Sequence, residues 1–338
     1  MTITVDAMGG DNAPKAVVEG CLLALERRQG YRLQLIGDRD LILKSIDERG
    51  YGGDRIDVIN ATQTIGGDEI PTKAIKVKKD SPIVIGLNLL KSKQTDSFFS
   101  CGNTGALLTG AMLITGRIKG IDRPALAPML PTKRGMTMLI DAGLNSSCKP
   151  LNYEQFAQIG SIYMRTMYKI DKPKVGLLNV GTEENKGTEV VREAYGRLSA
   201  LGGVNFIGNI EGRDLTDGKC DVAVCDGFVG NLVLKLYESI GSYIFDGIYG
   251  IFGKNAFNRL AAAFFKKDVR NFFGKFDYES YGGTPILGVD GPVFKGHGNA
   301  SAKTVMKAIE CAVSFASTSV QKQMRDCFST AAVEDEPR

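Results

Sequence analysis

The sequence predicts an α/β fold with a mostly parallel sheet covered by helices on both faces. Short apolar or β-branched runs alternate with stretches of helical spacing along most of the chain, and loops rich in Gly and Asn recur where a run gives way to a helix. Ile3 to Val5 is the first run, Ala13 to Arg28 has helical spacing after Pro14, and Leu33 to Ile36 is the second run. Leu41 to Asp47 and Ile56 to Ile59 repeat the cycle. Further strands are predicted at Ser97 to Ser100, Met136 to Ile140, Val175 to Val180, Val204 to Ile207 and Asp221 to Cys225, with helices from about Tyr153, Thr188 and Ser301. One segment breaks the alternation. From Leu232 to Phe276 no strand signal occurs, and the residues read as two helices joined near Gly253 to Asn255, a hairpin projecting from the body. We expect one domain over residues 1–328, including that hairpin at 232–276, and a loose polar tail over 329–338.

Composition narrows the function classes. With 338 residues, 43% of them hydrophobic and 24% charged, the chain can bury a large core and belongs to neither the disordered nor the fibrous class. Its seven cysteines, an odd number without a CxxC pair, argue against a disulfide framework. Cys220 and Cys225 fall in one predicted strand at an odd separation, which puts them on opposite faces and makes them poor co-ligands for a metal. Asp6 stands where a signal peptide's apolar region would run, and no apolar run reaches the roughly 18 residues of a spanning helix, so a cytoplasmic protein is expected.

The chemistry should lie in four strand-to-helix loops, because ligands of open α/β sheets bind beyond the carboxyl ends of the strands. These are Ser100 to Gly105, Asn179 to Gly187, Asp226 to Asn231, and Gly296 to Asn299. Glycine lets backbone N–H groups approach an anion, and a helix start adds donors and a favourable dipole, so phosphate is the expected guest. Nucleotide signatures do not fit: GxxxxGK[ST] is absent, and no GxGxxG follows a strand with an acid about 20 positions on. His297 is the only histidine, so a Ser-His-Asp or Cys-His device would have to use it and a two-histidine metal site within one chain is excluded. Cys101 sits at a predicted helix start, where a thiolate would be stabilised, but it reads as a packing residue if phosphate itself attacks.

At these loops the sequence resembles the phosphate acyltransferase (PlsX) family nearly from end to end. The strings that carry the resemblance are Asp6 to Asp11, Ser100 to Leu107, Ile118 to Pro124 followed by Leu126-Ala-Pro128, Glu183 to Gly187, Gly227 to Asn231, Tyr281 to Gly288, and His297-Gly298. The resemblance implies a three-layer α/β/α body like that of isocitrate dehydrogenase and phosphotransacetylase, a homodimer, and peripheral membrane contact. It also implies transfer of a long-chain acyl group from acyl carrier protein to inorganic phosphate, with no cofactor and no metal. Residue by residue it points to Lys186 and Asn231 as the catalytic pair. Asp6, Gly9, Gly10, Ser100, Gly102, Asn103, Thr104, Gly230, His297 and Gly298 are the expected substrate and phosphate contacts. The chemistry agrees: one mobile ammonium suits phosphate, and an amide donor suits the oxyanion formed as phosphate adds to the thioester carbonyl. Three positions depart from the family pattern: Cys101 and Leu144 stand where alanine is usual, and Ala300 replaces a serine.

Basic charge is local. Between Lys254 and Lys275 six basic residues face Asp268 alone, whereas the whole chain is only +4. Phe257, Leu260, Phe264, Val269, Phe272 and Phe276 recur there at helical spacing. Phe264, Phe265, Lys266, Lys267 and Arg270 are therefore candidate contacts for an anionic membrane or the acidic carrier protein, with a dimer-interface helix as the alternative. Nucleic acid is not expected, since the rest of the chain is near neutral and no recognised module is present. Competing functions are a phosphotransacetylase-like transferase using coenzyme A thioesters, an NAD-linked decarboxylating dehydrogenase, and a noncatalytic membrane scaffold. The dehydrogenase would need carboxylates converging on a divalent metal, and the Asp and Glu residues do not cluster in such loops.

Overall fold

The computed structural model describes residues 1–253 and 282–334. Its strands are β1 (Thr2–Asp6), β2 (Arg32–Gly37), β3 (Ile56–Asn60), β4 (Ser97–Ser100), β5 (Ala125–Leu126), β6 (Met129–Thr132), β7 (Gly135–Ile140), β8 (Lys174–Leu178), β9 (Asn205–Ile210), β10 (Val222–Val224), β11 (Thr284–Leu287) and β12 (Val293–Lys295). Helices are α1 (Lys15–Arg27), α2 (Arg39–Glu48), α3 (Pro71–Val77), α4 (Pro82–Lys91), α5 (Thr104–Gly110), α6 (Pro150–Met167), α7 (Glu189–Ala200), α8 (Gly212–Thr216), α9 (Gly227–Gly253), α10 (Ala302–Ala316) and α11 (Val320–Glu334).

The strands form two sheets where the sequence suggested one. The first has the order β3-β2-β1-β4-β12-β11-β5 and the second β6-β7-β10-β8-β9. In each sheet the central strands are parallel, and antiparallel pairing is confined to β11 and β5 in the first and to β6 in the second. Alternation of side chains along β4 shows why helices are needed on both faces. Phe99 joins the cluster containing Val18 and Leu22 of α1 and Ile309 of α10, while its neighbour Phe98 joins Ile83, Val84 and Leu87 of α4. Gly86 permits that contact, because a Cβ there would collide with the Phe98 ring. In the second sheet Val222 and Val224 face α6 and α7, while Ala223 faces Leu215 of α8 and Leu234 of α9. Three-layer α/β/α stacking thus occurs in both halves, and one apolar cluster, from Ile3 and Val5 through Phe156 to Val175 and Leu177, joins them.

Predicted and observed elements differ elsewhere too. Cys220 and Cys225 lie just outside β10 and, although five residues apart, belong to the same apolar cluster. The helix expected from Leu232 begins five residues earlier, at Gly227, where Asp226 caps it: its Oδ1 accepts from Val229 N–H at 2.8 Å. α11 continues to Glu334, into the stretch read as a loose tail. Phe264, Phe265, Lys266, Lys267 and Arg270, the candidate membrane or carrier contacts, lie outside the described residues. Among the described residues no helix is long and apolar enough to cross a membrane.

Candidate active site

Strand order turns distant sequence segments into two loop clusters. In the first sheet β1, β4 and β12 are neighbours and parallel, so the loops after Asp6, Ser100 and Lys295 emerge at one edge. β1 leads to β2 on one side and β4 leads away to β5 on the other, which makes the crevice between them a topological switch point. A cavity of about 580 Å³ lies there, lined by Asp6, Met8, Ile65, Ile83, Asn103 and Gly298 among others. In the second sheet β7, β10 and β8 are neighbours and parallel. Their loops hold Asp141 to Asn145, Asp226 to Asn231, and Asn179 to Gly187.

The first cluster is bound together internally. Ser100 Oγ donates to the Asp6 carboxylate at 2.6 Å and accepts from Gly102 N–H at 2.9 Å. Met8 N–H donates to Asp6 Oδ1 at 3.0 Å, and Asp11 N–H donates to the Gly298 carbonyl at 2.6 Å. Gly9 is required by close approach, since a Cβ would stand 2.5 Å from the Gly102 nitrogen. The Ser100 hydroxyl and the Asp11 amide therefore hold loop to loop, while the Met8 and Gly102 amides brace their own turns. Asn103 caps α5, accepting from Ala106 N–H at 2.9 Å, and donates to the Gly66 carbonyl at 2.8 Å, which fixes the far wall of the cavity. Thr104 opens α5 and lines the same space. Burial pushes the Asp6 carboxyl up to about 6, against the hydrogen bonds from Ser100, Met8 and Gly9. Burial, then the Asp6 charge, push the Cys101 thiol up to about 12, so it is no thiolate near neutral pH. The charged residues lining the cavity among those described are the acids Asp6 and Asp11.

In the second cluster the buried Asp141 carboxylate accepts from Leu126 N–H at 2.9 Å, from Leu144 N–H, and from both Asn145 nitrogens at 2.6 and 2.9 Å. Burial raises its carboxyl above the usual range while these bonds oppose the shift. α9 starts hard against this loop: a Cβ on Gly230 would overlap the Asp141 carbonyl oxygen. Gly143, at φ +126°, leaves room for Asn231, whose Oδ1 would stand 3.3 Å from a Cβ there. Asp226 takes the capping role, and among the described residues no hydrogen bond claims the exposed Asn231 amide. Lys186 is 45% exposed, with Nζ 3.8 Å from Glu183 Oε1, in a loop braced by Asn179 Nδ2 donating to the Lys186 carbonyl at 3.1 Å.

α9 connects the clusters. One and two turns beyond Asn231, Lys235 and Glu238 share its face, and Glu238 reaches the loop after β12: His297 Nε2 lies 3.8 Å from Glu238 Oε1, and Lys235 Nζ 2.8 Å from Oε2. Burial, then the Lys295 charge, bring His297 down to about 4 and keep it neutral near pH 7. Leu144 packs into the apolar cluster with Ile65 and Ile83, both of which line the first cavity. Ser301, beside Ala300, caps α10.

A profile described as fatty acid synthesis protein matches residues 1–323. A phosphate acyltransferase of Acetivibrio thermocellus is 51% identical over 335 residues, 99% of this chain and 98% of that one. The chain belongs to the phosphate acyltransferase family. A second phosphate acyltransferase, from Thermoanaerobacter pseudethanolicus, is 44% identical across 96% of this chain and 97% of its own. This phosphate acyltransferase also shares its fold with a phosphotransacetylase from Streptococcus pyogenes, at a TM-score of 0.63, 16% identity and 94% coverage of both chains. Lys295, Lys235 and Glu238 were not singled out in the sequence of this family member. Lys235 and Glu238 lie 60 and 57 positions before Lys295, and no local motif marks them.

Proposed function

We propose that this enzyme transfers a long-chain acyl group from acyl carrier protein to inorganic phosphate, releasing the carrier thiol and an acyl phosphate for phospholipid synthesis. Family membership supports the reaction class. The observation that carries the site is the Asn231 side-chain amide, uncommitted among the described residues and held next to the Lys186 loop by the pairing of β10 with β8. In this mechanism a phosphate oxygen adds to the thioester carbonyl. Asn231 donates to the oxyanion that forms, and Lys186 balances the phosphate charge. The C–S bond then breaks as the carbonyl re-forms, and the departing sulfur takes the proton that the attacking hydrogen phosphate brought, so thiol and acyl phosphate leave with no other reactant consumed. Both ends are activated acyl groups, so orientation and anion binding supply the acceleration and no cofactor is needed.

The cavity of the first cluster then suits the neutral thioester arm and the start of the acyl chain. Its charged groups among the described residues are acids, which disfavour phosphate, and Met8, Ile65, Pro82 and Ile83 give it apolar walls. Homodimer formation and peripheral membrane contact belong to the same proposal. In α9, Phe228, Leu232, Leu236, Ile240 and Ile244 recur every four residues and are each at least 46% exposed, an apolar stripe fit for either role. The test is release of free carrier thiol from long-chain acyl carrier protein with and without phosphate. Thiol should appear only with phosphate. Phosphate-independent release, or none, overturns the proposal, and faster turnover of a coenzyme A thioester than of the carrier thioester moves the reading to the coenzyme A alternative.

A further inference from the structure

The described charges around the loop after β12 do not balance. Lys295 ends β12 in register with Ser100, and two residues on, His297 faces α9. Among the described residues Glu238 is the carboxylate that meets this group. It pairs with Lys235 at 2.8 Å and lies 3.8 Å from His297, while among the described residues no carboxylate comes within 4.0 Å of the partly buried Lys295 ammonium. With His297 neutral, two ammonium groups share one carboxylate among the described residues. One further negative charge would complete the cluster, because a partly buried cation without a close counter-ion is costly.

We propose that Lys295 and Lys235, steered by His297 and Glu238, bind an anion of the phosphate class between the end of β12 and the face of α9. This rests on the function proposed above and places the phosphate in it. Lys235 lies one helical turn, about 6 Å along the axis, from Asn231, so an anion held there is within reach of a carbonyl at the Asn231 amide. The position also separates the anion from the acids of the cavity. Burial, then the Lys235 charge, pull the Lys295 ammonium below the ordinary lysine range, a cost that a bound anion relieves. Two sources share this chemistry: inorganic phosphate, and the phosphodiester of a carrier protein's prosthetic arm.

Steady-state kinetics on Lys295→Met, Lys235→Met and Glu238→Gln, with phosphate and acyl carrier protein varied in turn, test the assignment. Both lysine variants should raise the KM for phosphate at least 10-fold and leave the KM for the carrier within twofold. Glu238→Gln should lower the phosphate KM, a sign opposite to that expected from structural damage. A rise in the carrier KM alone would assign the anion to the phosphodiester. Phosphate and carrier KM values both within twofold of wild type in Lys235→Met and Glu238→Gln, even with reduced kcat, would overturn the proposal. Thermal stabilisation of the unaltered enzyme by added inorganic phosphate, absent from Lys235→Met, gives a readout independent of turnover. Wild-type protein that is stabilised in this way yet releases no carrier thiol would refute the function and leave the anion site standing.

Discussion

The two loop clusters are built alike and equipped differently. Each hangs on a buried aspartate at a strand end, Asp6 closing β1 and Asp141 directly after β7, and each aspartate is followed by glycine within three residues. Around Asp6 the loop amides donate to the Asp6 and Ser100 side chains and border a cavity whose described charges are acidic. Around Asp141 the same bracing is complete, but it presents Asn231 and Lys186 outward with their polar ends accessible. One device thus serves as a container and the other as a platform. A rigid, desolvated carboxylate can organise either, because it gathers several N–H donors at one point.

Four experiments press on this contrast. The largest expected effect is at the platform's foundation. Gly230→Ala forces a methyl group against the Asp141 backbone and should cost about 3 kcal/mol in chemical denaturation, with activity falling in parallel. Gly298 offers a comparison inside the container. A methyl group there would come no closer than 3.6 Å to its neighbours, the nearest atom being Asp11 Oδ2, so Gly298→Ala should be mild. If the two variants lose equal stability, the platform is no more tightly braced than the container.

Next come the outward groups. Asn231→Ala should lower kcat about 100-fold with little change in either KM, as expected for loss of one oxyanion donor. Lys186→Ala should lower turnover at least ~10-fold and raise the phosphate requirement, a charge-assisted contact being worth about 1.5–3 kcal/mol. Folded variants with wild-type kinetics would leave the platform without a catalytic role.

The container should reveal itself through pH. Asp6 titrates at about 6 in the fold against an ordinary value of 3.8, so between these values the folded state holds a proton that the unfolded state has lost. Its contribution therefore falls as pH rises from 4 to 6, by about 2–3 kcal/mol. His297, brought down from 6.5 to about 4, works in the opposite direction, because there the unfolded state binds the extra proton. Asp6→Asn should remove the first slope and leave the second, so that stability measured in urea rises more steeply with pH over this window than in wild type. An unchanged profile would mean that Asp6 is not desolvated as the cavity wall requires. The smallest effect should be at Cys101. Cys101→Ala should keep activity within a few-fold, and an acyl group trapped on that sulfur would refute direct attack by phosphate.

Much of the fold was legible because burial on both sheet faces demands continuous apolar runs. Those of β1, β2, β4, β7 and β8 stand out from their flanks. Strands β5, β6, β11 and β12 did not, being two to four residues long and interrupted by proline at Pro131 and Pro285. α3 and α4 also passed unnoticed, although each opens on proline as helices often do. The loops that form the platform were readable as Gly/Asn junctions, and Lys186 and Asn231 were named through a family resemblance.

By itself, then, the sequence determined the α/β class, the family, and which loops could carry chemistry, since these depend on residue type and local spacing. Only the tertiary structure decided that the strands divide into two sheets and that α9 brings Lys235 and Glu238 to the end of β12. It also decided that the ends of β1 and β4 are tied by the Ser100 hydroxyl donating to Asp6, while the nearby amides of Met8, Asp11 and Gly102 are spent on protein acceptors. The pairing of β12 with β4 joins Val293 to Phe98, and the docking of α9 brings Glu238 to His297; the free energy that selects such distant contacts comes from burial shared across the whole core, which no short segment records.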